Sequence, residues 1–514
     1  MTRLDIWMAA AEVAPTAQTG GLADVLRALP AALARRGHAV RVLLPAYGRI
    51  DRAPFAYDAA EDHFDVPLGI GRVPVRFLSR TLPDGVRLTL VQCEELFGRD
   101  GLYGPPGGEF PDNARRFALF AAAVAALAAR APRTPDVLHG HDWHAALLPL
   151  YARRLVPFPG RRPATVLTIH NMGYQGRFGT NEIDWIVPPG EPRDPDLPGS
   201  LEHDGDLNYL KAALVHADRL TAVSPRYAWE ITTMEGGFGL HALAWWRRGE
   251  LSGILNGADY ERWDPARDPH LPERYDATTL ERKETARAAL RAAFGLAGPD
   301  TNGPAGPGPR APAPPPAVRP IVGVVSRLVE QKGIDLMLGA APALLRAGAD
   351  LIVLGSGEQP IVDGLERLRG AHPDRVGVYI GFNDALAHLV VAGSDLLVVP
   401  SRYEPCGLVQ MHALRYGTIP VVRRTGGLAD TVRDEGASPG QGNGFLFDEI
   451  DSDALAHAVH RALVLRARDA SAWRALQRRA MAEDFSWDRS AAAYEQVYAA
   501  AGERPRPSPG ADRR

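Results

Sequence analysis

LDIWMAAAEVAPTAQTGGLADVLRALPAALARRGHAVRVLL, residues 4–44, holds an apolar burst, a glycine turn, an amphipathic stretch and a second apolar burst. LDIWMAA (4–10) and AVRVLL (39–44) have strand length, and LADVLRALPAALARR (22–36) has helix length. Strands that are apolar throughout, joined through a helix, indicate parallel pairing with both sheet faces covered. The alternation continues through VLHG (137–140), TVLTIH (165–170) and RLTAV (219–223). It restarts after about residue 250 with PIVGVVS (320–326), DLIVLG (350–355), VGVYIG (376–381), DLLVVP (395–400) and TIPVV (418–422). The predicted fold class is α/β: two tandem Rossmann-like, doubly wound domains facing a central crevice.

The totals agree with that division. A chain of 514 residues exceeds the size at which a single core keeps growing. Its 46% hydrophobic and 23% charged residues are ordinary globular composition. A net charge of −3 offers no electrostatic footprint for nucleic acid or an anionic membrane. Two cysteines, Cys93 and Cys406, are too few for a disulfide framework and fit a reducing cytoplasm. Asp5 and Glu12 interrupt the first apolar run, so no secretory leader is expected, and Leu119 to Ala129 is too short to span a bilayer. Expected boundaries are 1–248 for the first domain and 249–486 for the second. The Pro/Gly-rich stretch 298–318 is expected to be an insertion loop, and 502–514 a disordered tail.

The six residues TGGLAD occur twice, at 19–24 and at 425–430, each time leading into a helical stretch. Paired glycines let a backbone approach a ligand closely, and a following helix offers free N–H groups and a positive dipole, which suits phosphate. The alternative is that Gly-Gly only turns the chain. Two copies in two α/β halves favour a ligand held at the carboxyl ends of parallel strands.

Three further stretches carry chemistry. SRLVEQKG (326–333) follows an apolar strand and brings Arg327 and Lys332 to a strand-to-helix junction, while PSRYEPCGL (400–408) brings Glu404 to another. Two cations beside glycine-lined helix starts can neutralise a diphosphate leaving group without a metal, and the carboxylate can take sugar hydroxyls. HGHDWHAALLP (139–149) and TIHNMGYQG (168–176) end strands of the first half and offer His139, His141, Asp142, His144, His170 and Asn171. Three histidines and an aspartate within six residues suggest zinc, but nothing completes a ligand set, and sugar contacts fit better. Cys406 shows no base partner and is expected to be a small buried thiol. YGPPGGEFPDNARRF (103–117) places Tyr103 and Asp112 in a loop. A dehydrogenase is disfavoured: LGSGEQP (354–360) is only a fragment of the dinucleotide fingerprint and follows the second strand of its domain.

Together TGGLADV (19–25), PDVLHGHDWHA (135–145), TIHNMGYQG, LSGILNGADYERWDPARD (251–268), VSRLVEQKGIDL (325–336), PSRYEPCGL, ALRYGTIPVVRRTGGLADTV (413–432) and DFSWDRSA (484–491) resemble the bacterial glycogen synthase and plant starch synthase family. These are retaining glucosyltransferases of the two-Rossmann (GT-B) architecture. The resemblance implies transfer of glucose from ADP-glucose, or UDP-glucose, to the non-reducing 4-hydroxyl of an α-1,4-glucan, with no cofactor and no metal. It implies Arg327 and Lys332 on the diphosphate and Glu404 on the donor glucose. Backbone at Cys406, Gly407 and Leu408 would line the donor site, as would Gln18, Gly20, Gly21, Asp24 and Asn256 near the first glycine pair and Thr425, Gly426 and Gly427 at the second. Tyr103, Asp142, His170 and Asn171 would lie on the glucose side, with the His170 backbone facing the anomeric carbon. A terminal helix, 487–501, would return to the first domain.

Three positions depart from the family pattern. Gln18 stands where Lys is usual, Val409 where Thr or Asn is usual, and Leu389 replaces a common Arg. They leave open a related transferase with another donor or product, and a non-catalytic glucan-binding relative.

Overall fold

A computed structural model describes residues 2–57, 63–69, 71–105, 108–186, 197–296 and 319–503. The expected insertion 298–318 and, apart from its first two residues, the tail 502–514 lie outside the described residues. The chain divides into two compact units, Met1–Gly257 with Trp487–Arg514, and Ala258–Ser486.

The first unit holds strands β1 Asp5–Ala9, β2 Ala39–Pro45, β3 Ala56–Tyr57, β4 His63–Leu68, β5 Gly71–Thr81, β6 Arg87–Gln92, β7 Val137–His141, β8 Ala164–Ile169, β9 Arg177–Gly179, β10 Glu202–His203, β11 Asp206–Asn208, β12 Arg219–Ala222 and β13 Leu251–Gly253. Its main sheet runs β13-β12-β8-β7-β1-β2-β6-β5-β3, with β4 also on β5. Every neighbour from β13 to β6 is parallel, and β3, β4 and β5 form an antiparallel edge. Chain order reverses at β1, so the loops after β1 and β7 open at a topological switch point, where ligands of such sheets bind.

The helix Gly21–Arg35 buries Leu22, Val25, Leu26, Leu29 and Leu33, the i, i+3, i+4 stripe of a half-covered helix. The C-terminal helix Trp487–Glu503 adds Trp487, Ala491, Tyr494, Val497 and Tyr498 to the same core. Polar contacts fix its placement: Arg36 forks onto Glu495 with two 2.7 Å hydrogen bonds, and Tyr498 meets His139 at 2.9 Å. The boundary expected at 248/249 is corrected to Gly257/Ala258. The reason is β13, which extends the first sheet beyond residue 249, after which the Ile254 and Asn256 amides still bond to Ala222 and Val223.

The second unit holds β14 Ile321–Val325, β15 Asp350–Gly355, β16 Val376–Ile380, β17 Leu396–Val399, β18 Ile419–Arg423 and β19 Phe445–Phe447. All are parallel, in the order β16-β15-β14-β17-β18-β19. Numbered within the unit this is 3-2-1-4-5-6, the doubly wound dinucleotide-fold order, with its switch point at β14/β17. The sequence-predicted strands of both halves fall where they were expected.

Candidate active site

In the second unit the switch point gathers the residues that chemistry selected. Arg327 and Lys332 lie in the turn after β14, and Ser401 to Leu408 in the loop after β17. Lys332 Nζ donates to Glu404 Oε2 at 2.5 Å, and Ser401 Oγ donates to the same oxygen at 2.8 Å. Glu404 is buried, so this ammonium is its charge partner away from bulk water. Arg327 is exposed, with its guanidinium on Gln331 at 3.3 Å. Gln331 ties the two loops, accepting from the Arg402 amide at 2.8 Å and donating to the Tyr403 carbonyl at 3.2 Å. Gln410 holds the next stretch: its amide nitrogen donates to the carbonyls of Cys406 (3.1 Å) and Gly407 (2.9 Å). Ser401, Gln331 and Gln410 were not anticipated from sequence, because a polar residue in a glycine-rich loop carries no signal of which carbonyl it will meet.

The two copies of TGGLAD prove physically different. A Cβ on Gly427 would lie 2.1 Å from the Cys406 carbonyl oxygen, and one on Gly426 1.9 Å from that of Glu404. Both glycines are buried, as is Thr425, and the Gly427 amide bonds to the Glu404 carbonyl at 3.1 Å. The second copy is therefore a packing seat for the Glu404–Cys406 loop. At Gly20 and Gly21 a Cβ would meet nothing within 4 Å, and Gly21 is exposed at the start of its helix. Nothing inside the fold demands glycine there.

The first loop has an organiser that sequence reasoning passed over. Glu12, 4% exposed, accepts the Thr19 amide (2.6 Å), the Gly20 amide (3.0 Å), the Thr19 hydroxyl (2.6 Å) and the Tyr103 hydroxyl (2.6 Å). The available signal was a lone carboxylate just past an apolar strand, where a ligand or a loop must take it up. Tyr103 in turn stacks on His144 at 4.7 Å between centroids. Asp112 forms an ion pair with Arg99 instead. Gln18 is exposed, its amide 3.5 Å from Asp24 Oδ1, so the position where Lys is usual faces a carboxylate.

After β7, Asp142 takes φ 56 and ψ −174, a conformation costing a non-glycine residue about 1–3 kcal/mol, of the kind that clusters at functional sites. Its Oδ1 accepts the amides of His170 (2.7 Å) and Asn171 (3.3 Å). Desolvation pushes the Asp142 carboxyl up to about 7 despite those amides, and Glu12 adds a smaller push. His170 Nε2 and His141 Nδ1 share a hydrogen bond at 3.0 Å. Burial holds His139 and His170 down to about 3, and His141 and His144 well below their usual value, so all four are neutral. His139 is structural, bonded on both nitrogens to Tyr498 and Thr168. Asn256, after β13, is 5% exposed, and its Oδ1 has no partner.

The other two departures have packing explanations. Val409 and Leu389 are partly buried against core clusters of the second unit, where a polar or charged side chain would lose apolar contact. Cys406 is buried, as a small thiol was expected to be. Among the described residues no helix is long and apolar enough to cross a membrane.

Residues 5–245 match the family model "Starch synthase catalytic domain", and residues 310–478 match "Glycosyl transferases group 1". The chain is 45% identical to a glycogen synthase of Anaeromyxobacter sp. (strain Fw109-5) over 501 residues, covering 96% of this chain and 99% of that one. It is 42% identical to a glycogen synthase of Paramagnetospirillum magneticum over 503 residues, covering 96% and 97%. Among solved structures it is similar to the catalytic domain of starch synthase IV from Arabidopsis thaliana bound to ADP and acarbose, with TM-score 0.85, 33% identity and 98% and 100% coverage. Sucrose-phosphate synthase from Thermosynechococcus elongatus, at TM-score 0.57 and 20% identity, shares the fold alone. A chain whose two halves and whole length match in this way belongs to the glycogen synthase and starch synthase family of glycosyltransferases.

Proposed function

We propose that this enzyme transfers glucose from ADP-glucose to the non-reducing 4-hydroxyl of an α-1,4-glucan with retention of configuration, and that it does so in the cytoplasm without metal or cofactor. The observation that carries the proposal is the Arg327, Lys332 and Glu404 cluster at the β14/β17 switch point, in a chain that spans relatives named glycogen synthase nearly end to end. The starch synthase relative with bound ADP favours the adenine nucleotide over UDP.

In this account Lys332 and Arg327 stabilise the charge that grows on the departing diphosphate, a role worth most in a site closed to water. Lys332 is pre-positioned for it by Glu404 and Ser401. Glu404 Oε2 is taken by those two donors, which leaves Oε1 to orient a glucose hydroxyl. Retaining glycosidases use a carboxylate nucleophile about 5 Å from a second carboxyl. Glu404, ion-paired and buried, is poorly placed for that role. The step assigned here is same-face displacement: the anomeric C–O bond to phosphate breaks, the acceptor O4 bonds to the anomeric carbon from the same side, and the acceptor proton passes to the departing phosphate oxygen.

Within the first unit, Asp142, His170 and Asn171, assigned to glucose, lie after β7 and β8. Asp142 accepts the Asn171 amide as well as that of His170 and so holds the His170–Asn171 peptide, whose carbonyl is the one assigned to the anomeric centre, while buried His141 bonds to neutral His170 from behind. Glu12 fixes the first glycine loop by accepting its Thr19 and Gly20 amides, which leaves the Gly21 end of that loop for the donor. The anomer test is direct: digest the extended glucan with an exo-acting α-1,4-specific hydrolase. Complete release of the added glucose supports retention, and resistance of the new linkage refutes it.

A further inference from the structure

Outside the site described above, the second unit holds a histidine whose bonding is incomplete. His388, fully buried in the helix Asp384–Gly393, lies with its ring flat on Trp263 at 3.7 Å between centroids. Its Nδ1 is 2.8 Å from Asp268 Oδ2. Asp268 is also buried, and it accepts the Tyr416 hydroxyl at 2.6 Å and the His270 amide at 2.8 Å. Asp268 offers acceptor oxygens to this contact, so Nδ1 is the ring's donor and Nε2 is the nitrogen left for another partner. That Nε2 is buried and has no hydrogen-bond partner.

The orphan nitrogen faces two more donor groups. Asp384, four residues earlier on the same helix, has Oδ1 4.0 Å from it. Asp384 Oδ2 is 3.8 Å from His270 Nε2, and the rings of His270 and His388 are 4.8 Å apart. One ligand atom from each of the three residues lies within 4.8 Å of the others. Tetrahedral zinc, with bonds of about 2.0–2.1 Å, brings its ligands to roughly 3.3 Å from one another, so closure asks for up to about 1.5 Å of side-chain adjustment. A histidine held from behind by a carboxylate, with its other nitrogen directed at a carboxylate and a second histidine, is the supporting arrangement of a metal ligand.

We infer that His270, Asp384 and His388 bind a divalent transition-metal ion of the zinc class, with solvent completing the coordination. The donor set of two imidazoles and one carboxylate selects zinc, cobalt or nickel over magnesium or calcium. Arg262 also donates to Asp384 Oδ1 and opposes a cation, so it tempers the affinity. The ion joins the loop carrying His270 to the helix after β16, and it is separate from the phosphate-binding residues of β14 and β17. Its role is structural.

The test uses untagged full-length protein, stripped with chelator and titrated with Co2+ and Zn2+ while the cobalt ligand-field spectrum and bound metal are measured. The parent should take up one equivalent with a low-coordinate cobalt spectrum, and Mg2+ should not compete. His270→Ala and Asp384→Asn, both at least partly exposed and expected to fold, should each weaken binding by tenfold or more. Arg262→Gln should tighten it. Failure of the parent to bind, or equal binding by parent and both ligand variants, would overturn the inference, leaving His388 as a structural imidazole only. Neither outcome bears on glucosyl transfer, because no readout uses activity.

Discussion

Adding one methyl group to each copy of TGGLAD should have opposite consequences. In Gly427→Ala the new Cβ would sit 2.1 Å from the Cys406 carbonyl oxygen and 2.5 Å from its Cα, both backbone atoms that cannot swing aside. Overpacking of this kind costs about 1–3 kcal/mol, and for a unit of this size each kcal/mol lowers the melting temperature by about 2–4 °C, so a fall of roughly 2–12 °C is expected. The displaced backbone also carries Glu404, so kcat should fall with stability. In Gly21→Ala the Cβ meets nothing within 4 Å, and Gly21 opens a helix. Removing a glycine from the unfolded chain at a compatible position adds about 0.4–1 kcal/mol of stability. A donor phosphate at that loop would meet the methyl, so kcat/KM for nucleotide-glucose should fall while the fold is unharmed. Differential scanning calorimetry and steady-state donor kinetics on both variants make the comparison. A fully stable Gly427→Ala would refute the packing argument. A Gly21→Ala enzyme with parental kcat/KM would refute the placement of donor at the first copy.

Lys332→Ala should lower kcat by about 10²–10³-fold, the usual cost of removing one preorganised charge donor. It also strands the buried Glu404 carboxylate, so turnover must be referred to the folded fraction, and near-normal turnover would count against the assignment. Transfer should persist in excess EDTA at temperatures well below unfolding, and a loss that only Mg2+ or Mn2+ restores would contradict metal-free phosphate stabilisation. Stability of the first unit should fall as pH drops below about 6.5. Its buried imidazoles His139, His141, His144 and His170 stay neutral when folded and take up protons on unfolding, whereas Asp142, raised to about 7, releases one. The net of three protons gives a slope of about 4 kcal/mol per pH unit near pH 5, at about 1.4 kcal/mol per proton. A flat unfolding free energy between pH 6.5 and 5 would show that these rings are solvated.

The parallel strands were legible because burial on both faces leaves an unbroken apolar run, as in LDIWMAA and DLIVLG. The antiparallel edge β3–β5 and the small sheet β10-β11-β9 were not, because a half-exposed strand such as HFDVPL carries a mixed pattern that local propensity does not resolve. Arg327, Lys332 and Glu404 could be singled out because all three lie in loops that follow apolar strands, with Gly333 after Lys332 and Pro405 after Glu404. The partners that give those residues their behaviour could not. Glu12 reaches Tyr103 across 91 residues, and Asp268 reaches His388 across 120, and such pairings follow from topology alone. Identical hexapeptides with different duties make the same point: the contacts around Gly426–Gly427 come from the β17 loop, which the motif itself does not encode.

The most direct test of glucosyl transfer is to incubate the protein with ADP-glucose and a single maltooligosaccharide, following products by mass spectrometry and nucleotide release together. A ladder of glucose additions with one ADP freed per glucose added, faster than with UDP-glucose, is the predicted result. Nucleotide release without chain growth, or no turnover by a folded enzyme with either donor, would contradict the account.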